Sequence, residues 1–572
     1  MTTLSEVFDK ITATYPDKDA VHDASGTLTY RELHRRATAV AAALRAWGVS
    51  PGDPVGVYGQ ASRDSIVAML GTAFAGASYV PVDPDYPDER SRWMLTTAGA
   101  RLVLLTDDHR PGSDLGRATL HVRDAANDEE SARPAGAPDD VLYTMFTSGS
   151  SGTPKPVAVP HRGILGLLRP SPFTVGPDDG VLAMATLAFD SSALEIWCSL
   201  LVGATVFCVR ASAASLRILA DALADPRITV AHPSPAIFAL LVDHHLDALA
   251  GLRLVTSGGD VMSITHATRL RSAHPGVRVV NTYGPTEASV ISSAYEVARW
   301  DAAECATMPI GFPAAGAELH VVDENLSPVP DGTPGELVIG GDRLALGYAG
   351  EPELTTRRFV TAVGTRVYRT GDRVRRLATG ALEFLGRLDD EVKIRGYRVN
   401  PAESRAVLAA DPEVAEAVVV PVGEPGARSL LGFVRTTGPV DVADLRSRAW
   451  TRVPRHVVPD DIVVVQAFPT GPTGKVDHRA LVTRWERERA AEVALPAETD
   501  AAELTRLWTK LAGRPPEPDR DFFHSGGTSL GLIRLIEEIS TRFGVELDFA
   551  EVYGLRSFDE LFDLIRTEGA GS

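Results

Sequence analysis

The chain has 572 residues, of which 44% are hydrophobic and 23% are charged, so it is long enough for several hydrophobic cores and has the composition of a globular protein. Its formal net charge is −18, and no lysine- or arginine-rich run interrupts the acidic pattern. This charge disfavours nucleic acid phosphates and anionic membrane surfaces as partners.

The cysteines and the start of the chain indicate the cellular compartment. Cys198, Cys208 and Cys305 have neither metal-ligand spacing nor the even number of a disulfide framework, which predicts buried thiols in a reducing compartment. The first twenty residues lack a basic segment followed by a long apolar run, and no uncharged apolar stretch of about 18 residues occurs. We therefore expect a cytoplasmic protein.

Helix-period segments alternate with short apolar strands from residue 1 to about 385, for example LRLV (252–255) and VRVV (277–280). This alternation predicts an α/β construction with largely parallel sheets. Between about 316 and 348, period-2 strands separated by Asn, Pro and Gly turns predict a small antiparallel or barrel-like unit.

The following region predicts a smaller α+β subdomain. A helix from roughly 401 and two apolar strands, AVVVPV (417–422) and IVVVQAF (462–468), are enough for a compact unit. The charged, alanine-rich stretch 483–500 is interpreted as a linker. Leucine and aromatic residues at helical spacing then predict a small helical bundle in the last 70 residues or so.

A loop rich in glycine and hydroxyl groups, TSGSSGTPK (147–155), follows an apolar strand. Hydroxyls, exposed backbone N–H groups and one lysine suit a polyphosphate, although the Walker spacing is absent and a flexible turn would explain the loop equally well. NTYGPTE (281–287) adds a ring, a hydroxyl and a carboxylate, and YRTGD (368–372) adds a carboxylate that suits two ribose hydroxyls. Together the three stretches predict a nucleotide site.

In their order and spacing these stretches resemble the adenylate-forming superfamily, specifically the adenylation domains of nonribosomal peptide synthetases. The resemblance extends over about 450 residues. It rests on LTYREL (28–33), AGASYVPVDPDYP (75–87), FTSGSSGTPK (146–155), AFDSS (188–192), NTYGPTE (281–287), GELVIGG (335–341), YRTGD (368–372), GRLDDEVKIRGYRV (386–399) and PTGKVD (472–477).

The resemblance implies an α/β multidomain fold. We expect a large adenylation lobe at 1–387, with two layered α/β sheets and a small β-barrel, followed by a small α+β lobe at 388–482. After the linker at 483–500, a four-helix-bundle peptidyl carrier domain would occupy 501–572. Its GG-x-S-L motif makes Ser529 the expected attachment point for 4′-phosphopantetheine, with helix capping as the alternative role of this serine.

The resemblance also implies a mechanism with two half-reactions. An amino acid carboxylate attacks the α-phosphorus of ATP, and a pantetheine thiol on the carrier then takes the aminoacyl group. Lys475 is expected to bridge carboxylate and phosphate, and Lys393 to approach the pantetheine tunnel. Mg²⁺ and ATP are the expected cofactors, with Glu287 as the Mg²⁺ ligand. The residues expected to hold ATP are Thr147, Ser148, Gly149, Ser151, Lys155, Tyr283, Thr286, Glu287, Asp372 and Arg387.

Two features of these motifs stay open in the sequence. The hinge of the small lobe falls on Asp389 or Asp390, and the two adjacent aspartates cannot be told apart. Pro156 stands where the family has glycine after the loop lysine, which fixes φ and removes one N–H donor.

Asp190 matches the aspartate that binds the substrate α-ammonium group, which favours an α-amino acid. Because unpaired polar groups in a pocket are costly, the polar members of the pocket favour a neutral polar side chain, such as a hydroxyl, while a hydroxyphenyl amino acid stays open. The expected lining is Asp190, Ser191, Leu194, His232, Val255, Ser257, Thr282, Val290 and Ile291.

We therefore expect a free-standing adenylation–carrier didomain that loads an amino acid for another enzyme in natural-product biosynthesis. Its expected partners are a phosphopantetheinyl transferase and a downstream condensation or tailoring enzyme, while the need for a small MbtH-like activator stays open. The alternatives are an acyl-CoA synthetase-like ligase and a noncatalytic carrier scaffold. Asp190 and Ser529 argue against the first, and the presence of all the expected catalytic residues argues against the second.

Overall fold

A computed structural model of the chain divides it into two compact units, residues 1–210 with 221–400 (unit 1) and residues 211–220 with 401–572 (unit 2). It describes residues 2–106, 111–112, 114–125, 136–147, 154–209, 216–303, 305, 307–388, 391–394, 397–423, 428–469, 476–492, 500–513, 515–517, 520–523, 525, 527, 529–545, 547, 552–553, 555 and 557–569.

The helices begin where the sequence supplies caps. In LTYREL, for example, Thr29 and Glu32 form a reciprocal capping box at the start of the second helix. The described helices are α1 (Leu4–Thr14), α2 (Tyr30–Ala46), α3 (Arg63–Phe74), α4 (Asp88–Ala98), α5 (His161–Leu167), α6 (Asp190–Leu200), α7 (Leu216–Leu223), α8 (Pro235–His244), α9 (Ile264–Ala273), α10 (Pro352–Arg358), α11 (Pro401–Ala409), α12 (Val442–Trp450), α13 (His478–Glu492), α14 (Asp500–Ala512), α15 (Ser529–Phe543) and α16 (Phe558–Gly569).

The strands are short and rich in β-branched residues, as expected for largely buried sheets. They are β1 (Asp19–Asp23), β2 (Gly26–Thr29), β3 (Pro54–Tyr58), β4 (Ser78–Val82), β5 (Leu102–Leu105), β6 (Ala118–His121), β7 (Val141–Thr147), β8 (Lys155–Pro160), β9 (Gly180–Ala183), β10 (Thr205–Cys208), β11 (Val230–Ala231), β12 (Leu254–Gly258), β13 (Arg278–Tyr283), β14 (Ser293–Glu296), β15 (Phe312–Pro313), β16 (Ala317–Val322), β17 (Gly335–Gly341), β18 (Gly347–Tyr348), β19 (Phe359–Ala362), β20 (Thr365–Arg376), β21 (Leu382–Arg387), β22 (Val392–Ile394), β23 (Tyr397–Val399), β24 (Val414–Val422), β25 (Ser429–Thr436) and β26 (Asp461–Val464).

Unit 1 contains two large sheets. One has nine strands in the order β15-β14-β13-β12-β11-β9-β10-β1-β2, and the other has seven in the order β18-β8-β7-β4-β3-β5-β6. Strands β13, β12, β11, β9, β10 and β1 run parallel, and so do β7, β4, β3, β5 and β6. These two mixed sheets confirm the predicted α/β construction.

The segment predicted to be antiparallel forms a third sheet in unit 1. Its order is β16-β17-β20-β19, with β21 on the other part of β20, and every pairing is antiparallel. Its described strands do not close into a barrel. The β22–β23 hairpin also groups with unit 1, whose second segment ends at residue 400.

One buried contact fixes the helix that begins at Asp190. Trp197 of α6 is fully buried, and its indole N–H donates to the Tyr79 hydroxyl of β4 over 2.8 Å. Because Tyr79 lies in the seven-stranded sheet and α6 follows β9 of the nine-stranded sheet, this hydrogen bond connects both sheets through the helix. Cys198 in the same helix, like Cys208 and Cys305, is a buried cysteine, as predicted.

From residue 401 onward, unit 2 first contains a three-stranded sheet, β24-β25-β26, together with α11, α12 and α13. Helix α13 continues to Glu492 through the first part of the stretch predicted as a linker, 483–500. Two facts explain this difference: arginine, glutamate and alanine favour helix, and the Trp485 indole donates to Asp461 over 2.9 Å.

The C-terminal part of unit 2 contains α14, α15 and α16, with helical residues also at 552–553. Its core includes the buried residues Leu504, Trp508, Leu532, Leu535, Ile539 and Leu561, which repeat the spacing read from the sequence. No helix within the described ranges is long and apolar enough to cross a membrane.

An arginine and three aromatic rings join the two parts of unit 2. The Arg455 guanidinium lies 4.7 Å from the ring centroids of Trp450 and Tyr553 and 5.5 Å from that of Phe523. The buried Arg446 donates to the backbone carbonyl of Phe523. We refer to these five residues as the aromatic contact.

Candidate active site

The predicted substrate pocket begins at the carboxyl ends of neighbouring parallel strands. Strands β12 and β13 pair with Gly258 opposite Thr282, and β11 pairs with β12 through Ala231 and Val255. Val255, Ser257 and Thr282 are buried near these ends. In open α/β sheets this edge is where ligands bind.

Asp190 is the first residue of α6, where the positive end of the helix dipole favours a carboxylate. Its Oδ2 accepts a hydrogen bond from the Thr286 hydroxyl over 2.7 Å. Burial raises the pKa of Asp190 above its ordinary value, although the Thr286 hydrogen bond opposes this shift. Ser191 and the buried Leu194 follow on the same helix.

His232 directly follows β11 and is hydrogen-bonded to the neighbouring strand β12. Its Nδ1 is hydrogen-bonded to the Thr256 hydroxyl. Thr256 points to the opposite face of β12 from Val255 and Ser257, because side chains alternate along a strand. Burial lowers the pKa of His232 to about 4, so the ring is neutral at neutral pH.

Two buried polar atoms of the predicted lining make no hydrogen bond within the described part of the chain: Nε2 of His232 and Oγ of Ser257. Thr282 differs, because its hydroxyl donates to the Ser257 carbonyl over 3.2 Å. Since a buried polar atom without a partner is costly, these two atoms are the ones able to favour a polar substrate group.

Val290 and Ile291 lie in a turn with an unusual backbone. Ser289 and Val290 have φ angles of 55° and 71°, in the left-handed region that β-branched residues rarely adopt. The Ser289 hydroxyl donates to the Arg343 carbonyl over 2.6 Å. A Cβ on Gly163 of α5 would lie 2.2 Å from the Ser289 Oγ, so a glycine is required where the helix meets this turn.

The residues predicted to bind adenine and ribose are in direct contact. The Tyr283 hydroxyl donates to Asp372, and Arg387 Nη1 lies 2.7 Å from the other oxygen of this carboxylate. The antiparallel pairing of β20 and β21 places Asp372 opposite Arg387. Lys393 Nζ lies over the Tyr283 ring, 5.5 Å from its centroid.

The predicted phosphate and magnesium residues lie in a buried cluster of charges. Burial lowers the pKa of Lys155, whose side chain is 3% exposed. Glu287 is fully buried and accepts a hydrogen bond from the Tyr348 hydroxyl over 2.8 Å. Burial raises the pKa of Glu287, but the charges of Arg398 and Lys155 outweigh this effect and keep it below its ordinary value.

The residues present fit a magnesium ion. Glu287 Oε2 makes no hydrogen bond in the described residues, although Arg398 Nη1 is 3.7 Å away. One carboxylate oxygen is what Mg²⁺ typically takes from a protein when phosphate oxygens supply other ligands. The Thr147 hydroxyl, at the start of the predicted phosphate loop, is likewise a buried atom without a hydrogen bond in the described residues.

Two members of this cluster were not singled out by the sequence analysis. Glu391 has a fully buried side chain that contacts Lys155, Arg387 and Arg398, and these three charges lower its pKa to about 2 against the effect of burial. Arg398 contacts Glu391 and Glu287. Both residues lie within GRLDDEVKIRGYRV, and the alternation of charge along this motif was the available signal.

The carrier loop shows why glycine precedes the predicted attachment serine. A Cβ on Gly527 would lie 2.2 Å from the Phe522 ring, so only glycine lets the loop pack on this ring. Ser529 is the first residue of α15. The predicted residues Ser148, Gly149, Ser151, Asp389, Asp390 and Lys475 lie outside the described residues, as does the side chain of Ser529.

Family models match three regions of the chain. The model of the AMP-binding enzymes matches residues 8–349. The chain belongs to this family. The model of the AMP-binding enzyme C-terminal domain matches residues 405–475, and that of the phosphopantetheine attachment site matches residues 502–565. The chain is thus an AMP-binding enzyme with a carrier domain, as the sequence resemblance implied.

Curated relatives of this AMP-binding enzyme are longer proteins. Tyrocidine synthase 3 of Brevibacillus parabrevis is 34% identical over 98% of the chain, and the match covers 9% of that protein. Phosphinothricin tripeptide synthetase PhsC of Streptomyces viridochromogenes is 38% identical over 96% of the chain, and the match covers 52% of that protein. The chain therefore spans about a tenth to a half of the length of these relatives.

Solved structures with the same two-domain organisation are similar over most of the chain. Holo-PA1221, an NRPS protein containing adenylation and PCP domains, has a TM-score of 0.89 and 29% identity, covering 99% of this chain and 97% of that one. The artificially fused adenylation–PCP didomain NpsA-ThdA from Klebsiella oxytoca has a TM-score of 0.75 and 30% identity, covering 81% and 93%. These similarities confirm the predicted fold class.

Proposed function

We propose that the chain activates an α-amino acid with ATP and loads it onto its own carrier domain. The observation that carries this proposal is Asp190, a partly buried carboxylate at the start of α6 beside Thr286, where an α-ammonium group can pair with it. The carrier domain at 502–565 supplies the acceptor. The similarity to phosphinothricin tripeptide synthetase PhsC supports the same assignment.

In the first half-reaction, the amino acid carboxylate attacks the α-phosphorus of ATP and pyrophosphate leaves. The reaction joins two anions, so cations near the phosphates contribute more than acid–base chemistry. Lys155 is proposed to hold the leaving pyrophosphate, Lys475 to bridge carboxylate and α-phosphate, and Glu287 to hold Mg²⁺, which would neutralise phosphate charge. Asp372 and Arg387 are proposed to hold the ribose and Tyr283 the adenine.

In the second half-reaction the aminoacyl group passes to the carrier domain and AMP leaves. The pantetheine group on Ser529 supplies the thiol. Ser529 fits this role because it begins α15, and the Gly527 contact with Phe522 holds the preceding loop close to the domain core. We propose Lys393 as a residue that approaches the pantetheine arm in this step.

We propose a neutral polar side chain for the substrate. The unpartnered hydroxyl of Ser257 supports this choice most directly, because a polar substrate group would satisfy it. His232 supports it less, since its contact is Thr256 on the opposite face of β12. Val255, Leu194 and Ile291 are buried apolar neighbours in the proposed lining.

Intact-protein mass spectrometry tests the proposal. The chain is converted to its pantetheinyl form and supplied with Mg-ATP and a mixed amino acid pool. We expect a thioester adduct whose mass identifies the amino acid, and none on Ser529→Ala, which should still form the adenylate. Modification of Ser529 with no adduct from any amino acid would contradict the proposed activity.

Asp190→Asn tests the ammonium site. Removing one partner of a buried charge pair costs about 2 to 5 kcal/mol, so the KM for the amino acid should rise by at least about 30-fold. Pyrophosphate exchange as a function of amino acid concentration measures this change. Asp225→Asn, at an exposed pair with Arg227, serves as the control and should leave the KM unchanged. An unchanged KM in Asp190→Asn would remove the main argument for an α-amino acid.

Two proposed partners follow from the carrier domain: a phosphopantetheinyl transferase and a downstream condensation or tailoring enzyme. An MbtH-like activator is proposed only from the resemblance to adenylation domains of nonribosomal peptide synthetases. We propose a cytoplasmic location, which the three buried thiols support.

A further inference from the structure

Glu391 is a carboxylate that three cations surround. Its oxygens lie 3.3 Å from Lys155 Nζ, 2.8 Å from Arg387 Nη2 and 2.5 Å from Arg398 Nη2, and its side chain is fully buried. Such close, charge-assisted contacts with several donors resemble the way proteins hold a phosphate group. Glu391 therefore occupies an anion site made by the chain itself.

The ion pairs of this cluster already contain as many carboxylates as cations. Lys155, Arg387 and Arg398 contribute three positive charges, and Glu391 with the two carboxylates of Glu287 and Asp372 contributes three negative charges. A pyrophosphate added beside Glu391 would place several further negative charges within a few ångströms of it. In a buried site this repulsion is strong, because the surroundings screen it poorly.

A second contact lies on the same hairpin. Strand β22, which follows Glu391 directly, carries Lys393, whose Nζ lies over the Tyr283 ring. Strand β23 carries Arg398. One hairpin therefore contacts both the lysine proposed to hold pyrophosphate and the ring proposed to hold adenine.

We propose that Glu391 is an internal competitor of pyrophosphate: its carboxylate and the leaving group bind Lys155 in turn, so that docking of Glu391 opposes rebinding of pyrophosphate. The inference rests on the proposed function, in which Lys155 holds the leaving group. The competition would favour adenylate formation over the reverse reaction. Once pyrophosphate has left, Glu391 neutralises Lys155 and disfavours the reversal of adenylate formation. Glu391 is thus a positioning residue that acts through Lys155.

The test is equilibrium binding of inorganic pyrophosphate with Mg²⁺ to the full chain by isothermal titration calorimetry, which needs no knowledge of the amino acid. We expect Glu391→Gln to bind pyrophosphate about ten-fold more tightly than the wild type, because one charge-assisted competitor is removed. The matched control is Glu383→Gln, another buried carboxylate of unit 1, paired with Arg375. It should bind as the wild type does.

Three binding results would overturn the proposed competition between Glu391 and pyrophosphate. Equal or weaker binding by Glu391→Gln overturns the competition, and so does an equal gain in Glu383→Gln, which would show an effect of net charge alone. If Glu391→Gln does not fold, Glu391→Asp keeps the charge on a shorter arm and should also bind pyrophosphate more tightly than the wild type; unchanged binding overturns the proposal.

The same titration separates this inference from the proposed function. Lys155→Met should lose pyrophosphate binding in both the wild-type and Glu391→Gln backgrounds. Undetectable binding in the wild type and in every variant would contradict the phosphate site itself, and with it both proposals. Binding that depends on Lys155 but not on Glu391 would overturn the competition and leave the proposed function standing.

Discussion

Unit 1 and unit 2 hold their arginines with different partners. In unit 1, Arg387 and Arg398 lie among carboxylates in a buried cluster. In unit 2, Arg455 lies over three aromatic rings, and Arg446 donates to a backbone carbonyl. The two kinds of partner differ in whether a ligand can replace them. A carboxylate can be replaced at its cation by a phosphate, which has the same sign of charge and similar acceptors, whereas a ring offers only its face to a cation.

Arg398→Met removes a cation from the buried charge cluster of unit 1 and should cause the largest loss of stability among these variants. It leaves Glu391 and Glu287 with fewer cations in a buried site, and breaking a buried pair costs about 3 to 5 kcal/mol. Hydrogen-exchange mass spectrometry in urea, following β20 to β23, measures the loss in the free energy of unfolding. Arg278→Met, at an exposed pair with Glu296, should cost less than about 1 kcal/mol. Equal losses would mean that burial of the cluster is unimportant.

Glu195→Gln tests the opposite case in unit 1: Glu195 is a buried carboxyl group that has no cation beside it among the described residues. Glu195 is fully buried and accepts backbone N–H groups from Met184 and Ala185, each over 3.0 Å. Burial raises its pKa from 4.5 to about 8, against the effect of these hydrogen bonds. The carboxyl is therefore protonated in the folded protein at neutral pH.

The sign of the resulting pH dependence follows from this raised pKa. The stability that Glu195 contributes is fully present below pH 4.5 and is lost as the pH rises to about 8. The loss amounts to about 1.4 kcal/mol per pH unit at most. Urea unfolding measures the free energy of unfolding of the wild type and of Glu195→Gln across this window, from roughly pH 5 to roughly pH 8. As the pH rises, the glutamine variant should become increasingly stable relative to the wild type. A constant difference would contradict the raised pKa.

Arg455→Met should have the smallest effect and test the aromatic contact. It keeps an apolar stem but removes the charge from the three rings, at a cost of about 1 kcal/mol for an exposed cation–π contact. We expect faster hydrogen exchange in residues 520–523 and no change in unit 1. The control is Arg435→Met, at an exposed pair with Glu416. Unchanged exchange at 520–523 would mean that the rings, not the cation, make the contact.

Local patterns made much of the fold predictable. The capping box of LTYREL, the apolar strands near 254 and 278, and the helical spacing of the carrier domain depend on neighbours in the sequence, so their structures follow from it. The end of α13 was less predictable, because its helix is stabilised in part by the distant contact between Trp485 and Asp461.

The sequence motifs predicted which residues belong to the site better than they predicted the contacts of those residues. The motifs gave Tyr283, Asp372 and Arg387, and the structure brings these three together. They did not give the Glu391 cluster, because a buried carboxylate among three cations is a property of long-range packing. The contact of His232 with Thr256 depends likewise on how a loop enters the sheet, which strand alternation alone does not determine.

The strained turn at Ser289 and Val290 has a consequence for engineering of substrate choice. A non-glycine residue in such a conformation costs of order 1 to 3 kcal/mol, and here one of the two is β-branched. Most substitutions that widen a pocket sacrifice stability by opening a cavity. At position 290, glycine or asparagine would reduce backbone strain and side-chain volume together. The stability gained there can offset the loss caused by further substitutions in the pocket.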